Sequence, residues 1–202
     1  VMVCIAQSFM SCGEANAEEP VIDTVAHERV NKLVYTNSHD EDALKTMLDS
    51  FIFEDDYFGI SVCARVLGGV YRNKSEYTLS HKALRTSLKY AYRLQDTLEL
   101  IQTYNYIATT FRRQGILDSA SNFHYNALVL CNQYSKIGTR DGLKNKAITI
   151  NGLGNIFMMY KHYQMADSLF HISLECERAI GSEKGIALNL AQRGNSKADN
   201  DE

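Results

Sequence analysis

The sequence predicts an all-α protein built as an α-solenoid, in which antiparallel helix pairs repeat along the chain. The 202 residues include one proline and 12 glycines, so few residues interrupt helices. The apolar content of 45% is enough for a continuous core. Three stretches of 24 residues also align with one another, and a repeated two-helix unit of this kind is typical of a solenoid.

The repeat is defined by seven columns of matching residue type in segments 64–87, 104–127 and 150–173. A small residue on the first helix faces a small residue on the second, and aromatic or aliphatic side chains fill the space beside them. The columns are Leu67/Ile107/Leu153, Gly68/Ala108/Gly154, Tyr71/Phe111/Phe157, Tyr77/Leu117/Tyr163, Ser80/Ala120/Ala166, Leu84/His124/Phe170 and Ser87/Ala127/Ser173.

The repeat length is near 40 residues. Gly68, Ala108, Gly154 and Gly194 are separated by 40, 46 and 40 residues. The longer interval indicates a local insertion, and counting to the turns predicts that the second helix of unit two is about three residues longer than that of unit three.

The chain opens with an apolar run that ends in small residues and becomes acidic before Pro20. Residues 1–20 therefore resemble the end of a secretion signal followed by a flexible spacer. Residues 9–11 before Cys12 resemble a bacterial lipoprotein signal, which implies lipidation of Cys12 and a mature chain outside the cytoplasm. The alternative is a short apolar leader helix that packs on the first repeat or frays.

Residues 21–58 predict a helical hairpin that lacks the seven columns. Apolar residues follow helical spacing near 24–36. Ser38 and Glu41 form a possible capping box for a second helix with one apolar face. This hairpin is either a divergent repeat or an end cap.

Residues 59–202 are predicted to hold the repeats. The turns at 136–142 and 179–185 contain glycine, which can adopt the left-handed conformation that ends a helix. The last unit loses its apolar columns at Arg193 and Lys197, as expected of a capping helix or of an array cut from a larger protein. The units span about 59–98, 99–141, 142–184 and, in part, 185–202.

These columns resemble the tetratricopeptide repeat, in which a small residue and an aromatic recur on the first helix and an alanine on the second. The resemblance covers roughly residues 60–195 and implies a right-handed superhelix. The unit is longer than the family's usual length of about 34 residues and lacks its closing proline. With turns such as Ile180–Gly181, it resembles the sensor regions of membrane-tethered regulators of Bacteroidetes. This implies a protein-binding scaffold in bacterial signal transduction.

In the resembled family, the first helix of each pair lines a concave groove, and positions outside the core columns contact the ligand. Guanidinium groups beside asparagine amides suit an extended acidic peptide, because the guanidinium binds carboxylates and the amides bind the peptide backbone. The family's carboxylate clamp of lysine and asparagine is not reproduced, so recognition of chaperone tails is not expected. The predicted groove residues are Arg65, Arg72, Asn73, Asn105, Tyr106, Thr109, Arg112, Arg113, Asn151 and Asn155.

The remaining motifs favour a binding protein over an enzyme. The formal charge of −3 gives no field that would attract nucleic acid or an anionic membrane. The sequence has no glycine-rich phosphate loop, no nucleophile elbow and no metal-spaced histidines or cysteines. We therefore expect no catalytic residue, no cofactor and no metal. The expected partner is a protein or peptide, and membrane contact is expected only through a lipid anchor or flanking segment.

The expected location is the periplasm or cell envelope. One alternative is a cytosolic tetratricopeptide receptor for a short signalling peptide. A second alternative is a helical glycan-active enzyme, which would need carboxylates that converge in one pocket.

Overall fold

The structure, a computed structural model, describes residues 24–134 and 136–200, and the regular structure of this part is entirely α-helical. Most connections between helices are short, so neighbouring helices run antiparallel, with the tightest packing within the pairs α3–α4, α5–α6 and α7–α8. This confirms the all-α solenoid. The helices are α1 (Thr24–Thr36), α2 (Glu41–Phe53), α3 (Tyr57–Asn73), α4 (Tyr77–Leu94), α5 (Thr97–Arg113), α6 (Leu117–Gln133), α7 (Arg140–Met159), α8 (Tyr163–Ala179) and α9 (Glu183–Asn200).

The first helices of successive units form one layer. Helix α1 packs on α3, α3 on α5, and α5 on α7, while each of α2, α4 and α6 packs on the first helix that follows it. We call α1, α3, α5, α7 and α9 the first-helix layer. Residues that face the next first helix within this layer join repeats, whereas residues that face the paired helix form each unit's own core.

The small columns of the repeat are explained by close packing within each pair. A Cβ at Gly68 would lie 2.7 Å from Cγ of Leu84, and a Cβ at Gly154 would lie 2.6 Å from Cε1 of Phe170. The hydroxyl of Ser80 donates to the carbonyl of Gly68 at 2.7 Å. The interlocking of small and large columns that the sequence predicts is therefore confirmed.

The turn inside each pair closes in the same way in all three units. The carbonyl oxygen of the aromatic column accepts a hydrogen bond from the backbone N–H five residues later, at 2.9, 3.0 and 2.9 Å. The residue before that donor has a positive φ in each case, and only one of the three is glycine. The donor, acceptor and positive-φ residues are Glu76, Tyr71 and Ser75; Ile116, Phe111 and Gly115; and His162, Phe157 and Lys161.

The hairpin of α1 and α2 continues the solenoid's core. Val34, Leu44 and Phe51 pack with apolar residues of α3. The predicted helix near 24–36 is confirmed, but the predicted cap at Ser38 is wrong. Asp40 stands directly before α2, and its Oδ1 accepts from the N–H groups of the second and third helical residues at 3.1 and 3.0 Å.

The predicted position of the insertion is also wrong. Helices α6 and α8 both have 17 residues. The additional residues lie in the longer connection 134–139 and in α7, which has 20 residues. Tyr134 ends α6 in an extended conformation and Thr139 caps α7, so Gly138 does not take the predicted positive φ, whereas Gly181 does, at 65°.

Helix α9 begins the partial fourth unit. Ser182 Oγ accepts from the N–H of Gly185, so α9 starts with a hydroxyl cap as α7 does. Arg193, where the apolar column is lost, donates to Asp167 of α8 at 2.8 Å. An ion pair between helices therefore stands where the other units have an aliphatic contact.

Candidate functional site

One column of predicted groove residues joins successive repeats. Each side chain in it bonds to the next first helix along the chain. The pairs are Arg65 with Glu99 of α5, Asn105 with Thr149 of α7, and Asn151 with Asn189 of α9. The column therefore fixes how neighbouring units sit against each other.

Two of these residues are not free to contact a ligand, contrary to what their spacing suggests. Arg65 is 1% exposed and Asn105 is 3% exposed, while Asn151 is half-buried. Positions that face the paired helix form the core of a unit, but a solenoid unit also buries a side against the following unit. Arg65 and Asn105 lie on that side.

The contact between Arg65 and Glu99 is a buried two-pronged ion pair. Arg65 Nε donates to Oε1 at 2.9 Å and Nη2 donates to Oε2 at 3.0 Å. Arg65 Nη1 donates to the hydroxyl of Tyr35, and Ser61 donates to Glu99. Burial alone would lower the pKa of Arg65, but the adjacent Glu99 carboxylate outweighs burial and leaves the pKa raised. The two charges neutralise each other, so this pair is a structural link.

The partner positions also repeat. Thr149 and Asn189 stand 40 residues apart, which is the interval between Gly154 and Gly194. The short side chains of Asn105 and Asn151 bond to this partner position. The longer side chain of Arg65 instead bonds to Glu99, which lies one turn closer to the start of α5. A recurring polar pair at these two columns is the sequence signal that would have revealed the contact.

His124 of α6 lies inside the array between α5 and α7. Its Nδ1 is 3.0 Å from Asn105 Oδ1, and its Nε2 is buried without a hydrogen-bond partner in the part of the chain that the structure describes. Burial, helped by the charge of Arg112, lowers the pKa of His124 to about 3, so the imidazole is neutral at pH 7. A Cβ at Gly152 would overlap this ring, which explains a glycine that the small column leaves unexplained.

Amide side chains connect α7 and α9. Asn151 Nδ2 donates to Asn189 Oδ1 and to Gln192 Oε1, and Gln192 Nε2 donates to Asn155 Oδ1 at 2.9 Å. Asn155 also donates to Asn151 Oδ1 at 2.8 Å. Gln192 is not a predicted groove residue, because the loss of apolar columns predicts a polar end for the fourth unit. It nevertheless follows Asn189 by three positions, on the same helix face.

Arg72, Arg112 and Arg113 form a cationic cluster on α3 and α5, which we call the arginine cluster. Arg72 and Arg112 are half-buried and occupy the same repeat column, while Met158 occupies that column on α7. Burial lowers the pKa of Arg72, and the neighbouring charges of Arg113 and Arg112 lower it further. Burial and Arg113 lower the pKa of Arg112 in the same way. The guanidinium groups are therefore close enough to repel one another.

Tyr106 positions one member of the arginine cluster. The guanidinium carbon of Arg72 lies 5.4 Å from the centre of the Tyr106 ring. A Cβ at Gly69 would lie 2.9 Å from Cε1 of that ring, so this glycine lets the ring approach α3. The ring supports Arg72 but carries no charge that would neutralise it.

The arginine cluster lacks a carboxylate partner within the described residues. None of the ion pairs between these residues includes Arg72, Arg112 or Arg113. The Nε groups of Arg72 and Arg112 also have no hydrogen-bond partner there. Half-buried, mutually repelling and unpaired cations are costly, and an anionic ligand would relieve that cost.

The two other predicted groove residues lie beside the arginine cluster. Asn73 is exposed, and its Oδ1 accepts a long hydrogen bond of 3.4 Å from Arg72 Nη2. Thr109 is half-buried and donates to the carbonyl of Asn105 in its own helix. Asn73 is therefore available at the surface, whereas the hydroxyl proton of Thr109 is used internally.

The remaining chemistry of the described residues is limited. No group of three or more histidine, cysteine, aspartate or glutamate side chains among residues 24–134 and 136–200 could hold a metal ion. Across the same ranges, no helix is both long and apolar enough to span a bilayer. Cys12 and the rest of the predicted leader, residues 1–20, lie outside the described residues.

These features define the chain as an α-helical repeat protein. The crystal structure of BtubC (BKLC) from P. vanneervenii is similar to it, with a TM-score of 0.60 and 18% sequence identity. The match covers 81% of this chain and 63% of that chain, so this chain spans less than two thirds of its structural neighbour. No family model matches the sequence, and no curated protein matches it either. At this identity the neighbour supports the fold alone.

Proposed function

We propose that this chain is a non-catalytic repeat scaffold of the tetratricopeptide type that binds an acidic segment of a protein or peptide along its first-helix layer. The arginine cluster carries this proposal. Arg72 and Arg112 are half-buried without a carboxylate partner among the described residues, so a ligand carboxylate would supply the missing negative charge. Arg65 differs from them, because its buried guanidinium is paired with the Glu99 carboxylate.

The amides on α7 and α9 provide the other half of the proposed groove. Asn151, Asn155 and Gln192 are half-buried and bonded to one another. Each amide has both donor and acceptor atoms, so the exposed side of this network can bond to an extended peptide backbone. The arginines would select acidic residues, and the amides would hold the chain between them.

A selection from a random peptide library displayed on phage tests this proposal with the full chain. Peptides that bind the wild type are expected to be enriched in aspartate and glutamate. The variant R72A/R112A should bind them more than about tenfold more weakly, because each charged hydrogen bond contributes about 1.5–3 kcal/mol.

The matched control is K82A/R85A, which removes the same charge from exposed positions on α4. This variant should bind the selected peptides as the wild type does. Equal loss in both double variants would show only a general charge effect, and unchanged binding by R72A/R112A would refute the groove.

We also propose that the scaffold is the extracytoplasmic sensing part of a bacterial membrane-anchored signalling regulator, like the Bacteroidetes proteins whose repeats its sequence resembles. The lipoprotein-like sequence before Cys12 supports this location. Metabolic labelling with an alkyne analogue of palmitate should label the full-length protein in bacteria, and C12S should abolish the label. Unlabelled protein in the cytosol would instead favour the cytosolic receptor.

A further inference from the structure

We propose that the arginine cluster binds a phosphoryl group, so that the partner is a peptide carrying a phosphorylated serine, threonine or tyrosine. This inference rests on the proposed peptide-binding function and specifies its ligand. It concerns Arg72, Arg112 and Arg113, with Asn73 at the edge of the site.

The charge of the arginine cluster favours a phosphoryl group over a carboxylate. The charges of Arg113 and Arg112 both act on Arg72. The Tyr106 ring beneath Arg72 is uncharged, and His124, whose pKa the charge of Arg112 helps to lower, is neutral at pH 7. A carboxylate brings one negative charge. A phosphate monoester brings between about 1.5 and 2 negative charges at pH 7, so it neutralises the cluster more completely.

The type of hydrogen-bond donor in the arginine cluster also favours a phosphoryl group. All three cations are arginines, whose planar guanidinium groups bond to phosphate oxygens in pairs. A phosphoryl group presents three terminal oxygens and a carboxylate two, so a phosphoryl group offers more acceptors to the half-buried Arg72 and Arg112 and to the exposed Arg113. Asn73 adds an amide at the surface, and its present bond to Arg72 is long at 3.4 Å, so a ligand oxygen can replace it at little cost.

Side chains beneath the arginine cluster support it. The Tyr106 ring lies against Gly69 and holds the Arg72 guanidinium above it. The Nε groups of Arg72 and Arg112 are covered by the protein and unpartnered within the described part of the chain. A small rotation of each guanidinium toward a bound anion would therefore form hydrogen bonds that are missing in the free protein.

The first measurement follows the Nε–Hε NMR signals of the arginines in the wild-type full chain during titration with inorganic phosphate. The signals of Arg72 and Arg112 are expected to shift and saturate, while the signal of the exposed Arg85 stays in place. Acetate at equal ionic strength should produce shifts several times smaller. Equal response to acetate and phosphate, or a linear response without saturation, would overturn the inference.

The second measurement uses a peptide array in which each sequence carries phosphoserine, glutamate or serine at its centre. The wild type should bind the phosphoserine peptides at least about tenfold more tightly than their glutamate partners. R72K/R112K keeps the charge but loses the paired donors, so it should lose most of this preference, whereas K82A/R85A should keep it.

The two proposals can fail separately. Binding of glutamate and phosphoserine peptides with equal affinity, sensitive to R72A/R112A, would overturn the phosphoryl site and leave the acidic-peptide scaffold standing. Saturable binding of inorganic phosphate without binding of any peptide would support the phosphoryl site and overturn the scaffold function.

Discussion

The ion pair of Arg65 and Glu99 shows how a single polar contact can hold two repeats together. Both side chains are almost completely buried, at 1% and 3% exposure. Removing two charges from water is costly, and the two-pronged geometry and the added bonds from Tyr35 and Ser61 offset that cost. Either charge alone would remain buried without compensation.

We therefore expect E99Q to destabilise the protein by about 3–5 kcal/mol, because it leaves the Arg65 guanidinium buried and unpaired. Urea unfolding followed by circular dichroism measures this change. The control D167N breaks the partly exposed pair with Arg193 and should cost less than about 1 kcal/mol. The double variant R65M/E99L should recover most of the loss, and a loss as small for E99Q as for D167N would contradict this account.

His124 predicts a dependence of stability on pH. The pKa of its buried imidazole is lowered to about 3, against an ordinary value of 6.5. Between these values the unfolded chain binds a proton at His124 that the folded chain does not bind. The stability that the neutral His124 imidazole contributes is therefore fully present above pH 6.5 and is lost as the pH falls toward 3.

The free energy of unfolding should accordingly fall by about 1.4 kcal/mol per pH unit from this residue between pH 6 and pH 4. H124Q removes the titrating group and keeps a polar side chain near Asn105. The free energies of unfolding of the wild type and H124Q are measured by urea unfolding at several pH values. Their difference separates the effect of His124 from that of the carboxylates, which titrate at lower pH. A difference that does not vary with pH would contradict the buried neutral imidazole.

At the scale of the helix pair, the small column separates packed positions from open ones. Gly154 faces the ring of Phe170, whereas Gly194, in the same column, has no atom within 4 Å of its hypothetical Cβ among the described residues. G154A should destabilise the protein by about 1–3 kcal/mol through overpacking. G194A should stabilise α9 slightly, by up to about 1 kcal/mol, because alanine favours a helix. Thermal unfolding of G154A and G194A tests both expectations. A similar change in stability in the two variants would refute this packing.

The sequence predicts the helix pairs well because their columns record contacts within a pair. Gly68, Tyr71 and Ser80 pack or bond inside one unit, and such contacts recur with the repeat. The columns do not predict the helix caps, because Asp40 and Thr139 each bond to backbone N–H groups at the start of one helix and do not recur with the repeat.

The candidate site was predicted less well, for a physical reason. Residues outside the core of a pair can face a ligand or the next repeat, and composition does not distinguish the two. Arg65 and Arg72 lie on one helix seven residues apart, yet the first is paired with Glu99 and the second with no carboxylate among the described residues. The difference is set by Glu99, which lies 34 positions from Arg65 in the chain.

At the scale of the whole molecule, contacts between repeats pair several buried polar groups, as in Arg65 with Glu99 and Asn105 with Thr149. Two buried atoms between helices, His124 Nε2 and Glu177 Oε2, have no hydrogen-bond partner within the described residues. On α3 and α5, the arginine cluster retains half-buried positive charge without a described counter-ion. The paired contacts favour a rigid array, and the unpaired cluster favours binding of an anionic partner.

The most direct test is isothermal titration calorimetry of one selected acidic peptide into the wild type, R72A/R112A and K82A/R85A at the same ionic strength. The scaffold proposal predicts that R72A/R112A weakens binding more than about tenfold while K82A/R85A binds as tightly as the wild type. Circular dichroism should show that all three proteins keep the same helix content. Equal affinity of the wild type and a folded R72A/R112A would contradict the proposal that these arginines bind the partner.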